Sequence, residues 1–148
     1  MRDLGLANVQ EAQEFKRLTT GAYICKITAV EDVEDKEYLK VEYDVAEGEF
    51  KDYYKDLYEK KNFWGGKLIR SYKESAKPFF KSFIVAVENS NSGYKFDNDE
   101  KKLVGKLVGL VLGEEEYKKQ DGTIGTRLYV TRTIQVNDVK KVNILFQS

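Results

Sequence analysis

Apolar and polar positions alternate most cleanly between Glu37 and Val45. Leu39, Val41, Tyr43 and Val45 fall on one side, and Tyr38, Lys40, Glu42 and Asp44 on the other. A period of two with one apolar side marks a half-buried strand. A period-2 stretch from Ala22 to Val33, opened by Gly21, predicts the strand before it, and a turn around Gly48 predicts a third strand starting at Phe50. The pattern loosens from Asp56. The glycine pair within Asn62 to Lys67 marks a loop, and Lys67 to Tyr72 reads as a return to extended structure.

A helix is predicted from Ser75 to about Asn89. Ser75 would be its N-cap, and Pro78 falls in the first turn, where a missing N–H does no harm. Phe79, Phe80, Phe83, Ile84 and Val87 recur at helical spacing as one apolar stripe. The run from Lys106 to Gly113 is nearly continuous apolar sequence with interior glycines, which suits a strongly coiled fourth strand. A polar loop with an Asp121-Gly122 turn signal follows. The last strand runs from Thr126 to Val136, and Arg132 intrudes on its apolar parity, so a local bulge or barrel-mouth position is expected there.

Strand, strand, strand, helix, strand, strand is the order of a mainly β, five-stranded OB-fold Greek-key barrel with one α-helix between strands 3 and 4. We expect an N-terminal arm over residues 1–20 with a helical turn between Val9 and Leu18, an OB-fold domain over 21–137, and a tail over 138–148. Neither an internal repeat nor a linker interrupts the pattern.

Composition narrows the function. The chain has 148 residues, one cysteine and no histidine. That length suits one domain. A lone cysteine excludes an internal disulfide, and Cys25, inside GAYICKITAV, reads as a buried small hydrophobe. Without histidine the commonest general base and zinc ligand are both missing, so an enzyme is disfavoured and no metal site is expected. No cofactor is expected either: Gly105, Gly109 and Gly113 recur every four residues but lack the Lys-Ser/Thr of a phosphate loop. No apolar run approaches the roughly 18 residues needed to cross a bilayer. With no signal-peptide core and no disulfide framework, we expect no membrane partner and a cytoplasmic location.

Lys+Arg and Asp+Glu balance at 25 each, but not locally. From Ala29 to Phe50 nine acids stand against two lysines; from Lys51 to Phe83 nine bases stand against four acids. The basic window also holds about half of the aromatics. Single-strand binders combine stacking aromatics with a basic groove, and OB-folds present ligands across strands 2 and 3 and the loops beside them. Candidate nucleic-acid contacts are therefore Tyr53, Tyr54, Phe63, Trp64 and Tyr72 for stacking, with Lys55, Lys67, Arg70 and Lys73 for phosphates. Tyr38 and Lys40 on strand 2 add to them, as do Lys118 and Lys119 in the loop between strands 4 and 5. The same aromatics also read as core, with the lysines a solvated face. Glu31, Asp32, Glu34 and Asp35 in the first loop would repel phosphate and suit a basic partner.

Three stretches carry a family resemblance: GAYICKITAVEDVEDKEYLKVEYDVAEGEF, SYKESAKPFFKSFIVAVENSNSGYKFD and KLVGLVLGEEEYKKQDGTIGTRLYV. Together they resemble a family of small OB-fold, single-stranded-DNA-binding-like proteins from phages and prophages of Gram-positive bacteria, over Gly21 to Val136. The resemblance implies a non-enzymatic protein of DNA replication or recombination, with single-stranded DNA and phage replication or recombination proteins as partners, in the bacterial host's cytoplasm. An oligomer of identical chains is plausible, since a neutral barrel offers little electrostatic affinity alone. The alternative is an OB-fold adaptor that uses the aromatic patch as a protein interface.

Overall fold

The computed structural model describes residues 1–9 and 16–146. Its centre is one antiparallel sheet of five strands: β1 (Gly21–Val33), β2 (Tyr38–Val45), β3 (Lys67–Ser71), β4 (Leu107–Lys118) and β5 (Ile124–Ile134). Their spatial order is β3-β2-β1-β4-β5, which leaves β3 and β5 as the outer strands. The architecture is mainly β, with three helices among the described residues: α1 (Tyr53–Lys61), α2 (Lys77–Ser90) and α3 (Val139–Phe146).

β1 and β2 join through a single 3-10 turn at Glu34–Lys36, with Glu37 in the left-handed conformation at its exit. Their ladder runs from Cys25 opposite Val45 to Val33 opposite Tyr38, with one bulge at Thr28. The β2 alternation behaves as predicted: Leu39, Val41, Tyr43 and Val45 are buried in the main core. Each fully buried aliphatic side chain of this kind stabilises the fold by roughly 1.5–3 kcal/mol before entropy is counted. Cys25 is fully buried and unpaired by any disulfide, as its sequence context suggested.

The helix between β3 and β4 is present. It begins at Lys77 after a 3-10 turn over Glu74–Ala76, so Ala76 and not Ser75 holds the N-cap position. Phe83, Ile84, Ala86 and Val87 turn into the core. Phe79, expected in that stripe, is 73% exposed: it lies in the first turn of α2, one turn before the buried Phe83 on nearly the same face, where the helix has not yet reached the core. Asn91 ties the end of α2 to β4: its amide nitrogen donates to the Val87 and Leu107 carbonyls, and its oxygen accepts from Leu107 N–H.

Three expectations need correction, and the bulge expected at Arg132 is present one residue away. The third strand does not start at Phe50; residues 53–61 form α1, and β3 is the later Lys67–Ser71 segment. The stretch from Glu114 to Lys118 is no loop but the outer half of β4, paired with Ile124 to Leu128 of a long hairpin. Arg132 itself is paired with Val111; the bulge predicted there is the extra residue Thr131 beside it. The segment set apart as a tail carries α3, whose Val139 is buried and whose Asn143 side chain bonds both N–H and C=O of Ala22 at 2.7 and 2.9 Å. Asn143 thus serves β1 as a one-residue strand partner. The helical turn expected between Val9 and Leu18 falls on residues 10–15, outside the described residues. No helix among the described residues is long and apolar enough to cross a membrane.

Candidate nucleic-acid interface

The basic, aromatic window divides into a buried half and an open half, and α1 is the reason. Asp52 and Asn62, both left-handed, bracket this helix. Its first turn is capped from outside: the Asp44 carboxylate on β2 accepts from Tyr54 N–H at 2.8 Å and Lys55 N–H at 3.1 Å, and from its neighbour Val45 N–H. Helix N-termini leave such donors unpaired. Burial nevertheless pushes the Asp44 carboxyl above the usual aspartate range, and these three bonds offset it only in part.

Under α1 the rings interlock. Tyr54 is buried and meets Tyr43 edge-on at 5.6 Å and Tyr53 at 5.1 Å; Tyr53 in turn meets Phe50 at 6.1 Å. Burial raises the Tyr54 hydroxyl pKa to about 12. Trp64 is half-buried, its indole N–H shared between the Tyr43 and Gly66 carbonyls at 3.2 Å each. Gly66 is required here, since a Cβ would strike the Tyr43 carbonyl oxygen and come within 2.8 Å of the Tyr54 ring. Tyr54 and Trp64 therefore pack α1 onto the sheet and are not open stacking platforms. Two more candidates also turn inward. Arg70 pairs with Leu39 on the core side of β3, with its guanidinium 5.9 Å from the Phe83 ring centroid; burial lowers its pKa. The Tyr72 hydroxyl donates to Asp32 at 2.7 Å, which holds its pKa up near 12, and its ring packs edge-on against Phe80.

The open half lies on the outward side of β2 and β3. Tyr38 pairs with Ser71, Lys40 with Ile69, and Glu42 with Lys67. Phe63, in the loop entering β3, is 63% exposed, and Lys67 Nζ stands 5.4 Å from its ring centroid. Ile69, which the sequence reading passed over, is 56% exposed beside Lys40. On β1, Glu31 stands opposite Lys40 and tempers this face. Lys55 and Lys73 are exposed on α1 and after β3.

A groove of about 620 Å³ opens next to the loop that carries Phe63. Its cations are Arg17, Lys61 and Arg127, its aromatics Tyr53 and Tyr54, and its one acid Glu114. Gly65 lines it, and the Phe63 ring lies about 3.8 Å from where a Gly65 Cβ would stand, so the groove and the Phe63–Lys67 couple adjoin. Arg127 is already engaged: its Nε donates to Glu115 at 2.7 Å across the hairpin, and its guanidinium stacks 5.2 Å from the Tyr117 ring. Lys118 and Lys119 sit farther out on the same hairpin, where Asp121 accepts from the Thr123 N–H and hydroxyl to shape the turn.

Sequence reasoning thus named half of each surface. It missed Arg17, which comes from the N-terminal arm, and Lys61 was only one lysine among many until α1 aimed it at the groove. Among the described residues no group of three or more His, Cys, Asp or Glu could hold a metal ion. No protein-family model matches the chain, and no curated protein matches it.

Proposed function

We propose that the protein is a non-enzymatic, single-stranded-DNA-binding protein of phage or prophage type, built as an OB-fold and acting in DNA replication or recombination in the cytoplasm. The observation that carries this reading is the adjoining of an open ring and ammonium, Phe63 with Lys67, to a groove bearing Arg17 and Lys61. A base has a ring to stack on, and its neighbours' phosphates have separate cations to follow; this pairing of groups is what sequence-tolerant single-strand binding needs. The strand order supports the OB-fold: closing the sheet would bring β3 to β5, with the helix between strands 3 and 4 where that barrel carries it. The long β4–β5 hairpin beside the groove matches the loop such folds use to border their ligand.

The test is a titration of labelled oligo-dT followed by anisotropy across salt. Label anisotropy is preferable to Trp64 fluorescence, because the Trp64 indole is tied to two carbonyls and reports on its loop. With about four phosphates neutralised, the log–log salt slope should be on the order of −3. An absence of binding at low salt overturns the proposal.

A further inference from the structure

At the other end of the β1–β2 hairpin lies a second cavity, of about 450 Å³, sharing no lining residue with the groove. Its apolar walls are Leu39, Tyr72, Phe80 and Phe96, with Tyr72–Phe80 centroids 5.8 Å apart and Phe80–Phe96 centroids 6.2 Å apart. The rings are fixed in place: Asp32 holds the Tyr72 hydroxyl, and Glu88 accepts from Phe96 N–H at 2.9 Å. A rigid, aromatic-walled recess of this size falls in the range of ligand pockets and loses little freedom when filled.

The rim is acidic on balance. Asp32 and Glu100 line it, and Glu34 and Glu37 stand close enough to act on the Tyr72 hydroxyl. Lys77 and Lys81 line the α2 side, but the Lys77 ammonium is held by Glu74 at 2.8 Å, which leaves Lys81 as the opposing charge. Such a rim repels phosphate and attracts Lys or Arg. We infer that the cavity is a docking site for a partner protein's peptide, which packs one aromatic side chain against Tyr72, Phe80 and Phe96 and sets basic residues against Asp32 and Glu100. Aromatic anchors in desolvated pockets carry most of the energy in interfaces of this type. The site is independent of the DNA groove, so both ligands can be held at once.

The test uses the full chain and three fluorescein-labelled peptides: one with a tryptophan between pairs of lysines, one with alanine for the tryptophan, and one with glutamates for the lysines. The first should bind at least about tenfold more tightly than either control, a difference of about 1.4 kcal/mol. Glu100→Lys, on an exposed rim, should weaken it several-fold, Asp32→Asn should weaken it while still accepting the Tyr72 hydroxyl, and Lys81→Glu should tighten it. Oligo-dT affinity should be unchanged in Glu100→Lys. Equal binding of either control, no response to Glu100→Lys, or displacement of the peptide by oligo-dT overturns the inference, the last because it puts the peptide in the groove. These readouts fail or succeed whatever the outcome of the dT titration.

Discussion

Lys67 holds its ammonium 5.4 Å from the centre of the Phe63 ring while both side chains stand open to solvent. An exposed cation–π contact is worth only about 0.5–1 kcal/mol, too little to explain why a large ring is left in water. A nucleotide answers both groups at once. Phe63→Ala should therefore weaken oligo-dT binding by about five- to 150-fold, the equivalent of about 1–3 kcal/mol for a lost base stack. Its thermal midpoint should stay near that of the parent protein, since the ring is mostly exposed. Lys67→Ala should lower the salt slope by about 1. Unchanged affinity in Phe63→Ala would remove this loop from the interface.

Asp44 caps the first turn of α1 from β2. Asp44→Ala strips the cap from Tyr54 and Lys55 N–H and leaves buried donors unpaired, each at a cost of about 1–3 kcal/mol. Asp44→Asn keeps an acceptor and removes the buried charge, so it should cost much less. Urea titrations of the three proteins give the comparison; equal losses in the Ala and Asn variants would mean the charge matters and the cap does not.

The same carboxyl predicts a pH dependence of definite sign. Burial raises its pKa above the ordinary 3.8, so the folded state holds this proton more tightly than the unfolded chain does. The stability it contributes is full below the unfolded pKa and is lost as pH rises through the folded one. The stability of the parent protein relative to Asp44→Asn should accordingly fall as pH rises above the ordinary aspartate value of 3.8. A difference that rises over that range would show that the three N–H donors outweigh burial.

Gly66→Ala should be among the most damaging single changes in the β2–β3 region. The added methyl meets the Tyr43 carbonyl and the Tyr54 ring, neither of which can retreat from the core. Overpacking of this kind typically costs about 1–3 kcal/mol. The matching change at Gly48, whose Cβ would meet nothing within 4 Å, carries only the cost of its left-handed backbone and serves as the control. Equal midpoints for the two would deny the close approach.

Cys25 should resist thiol reagents in the native protein. It is fully buried, and burial pushes its thiol far above the ordinary value, so almost no thiolate forms near neutral pH. Mass spectrometry after a maleimide pulse should find no label without denaturant and complete label in it. Fast labelling of the native chain would mean that β1 opens.

What the sequence revealed and what it hid divide along physical lines. β2 was legible because its core side is continuous and its far side polar. The intruding parity of Arg132 correctly signalled the Thr131 bulge. α1 was missed although Tyr53, Tyr54, Leu57 and Tyr58 have helical spacing, because tyrosines also favour strands and the cap that starts the helix comes from Asp44, ten residues away. The outer half of β4 was missed because Glu114, Glu115 and Glu116 carry no alternation; cross-strand pairing and the Arg127 bridge hold it instead. The candidate site was half legible for a related reason. Local sequence announces a cluster of rings and lysines, but which of them face water is decided by α1, and Arg17 reaches the groove from a distant segment.

The position of β3 would couple the proposed oligonucleotide binding to local opening. It is the shortest strand, it borders the sheet, and it bonds to β2 alone, so its amides should exchange with solvent before those of β1 or β2. Lys67 belongs to this strand and Phe63 to the loop that leads into it. An oligonucleotide bound there as proposed, by the closed form, should slow β3 exchange by mass action. The most loosely attached strand thus becomes the one whose hydrogen exchange reads out occupancy.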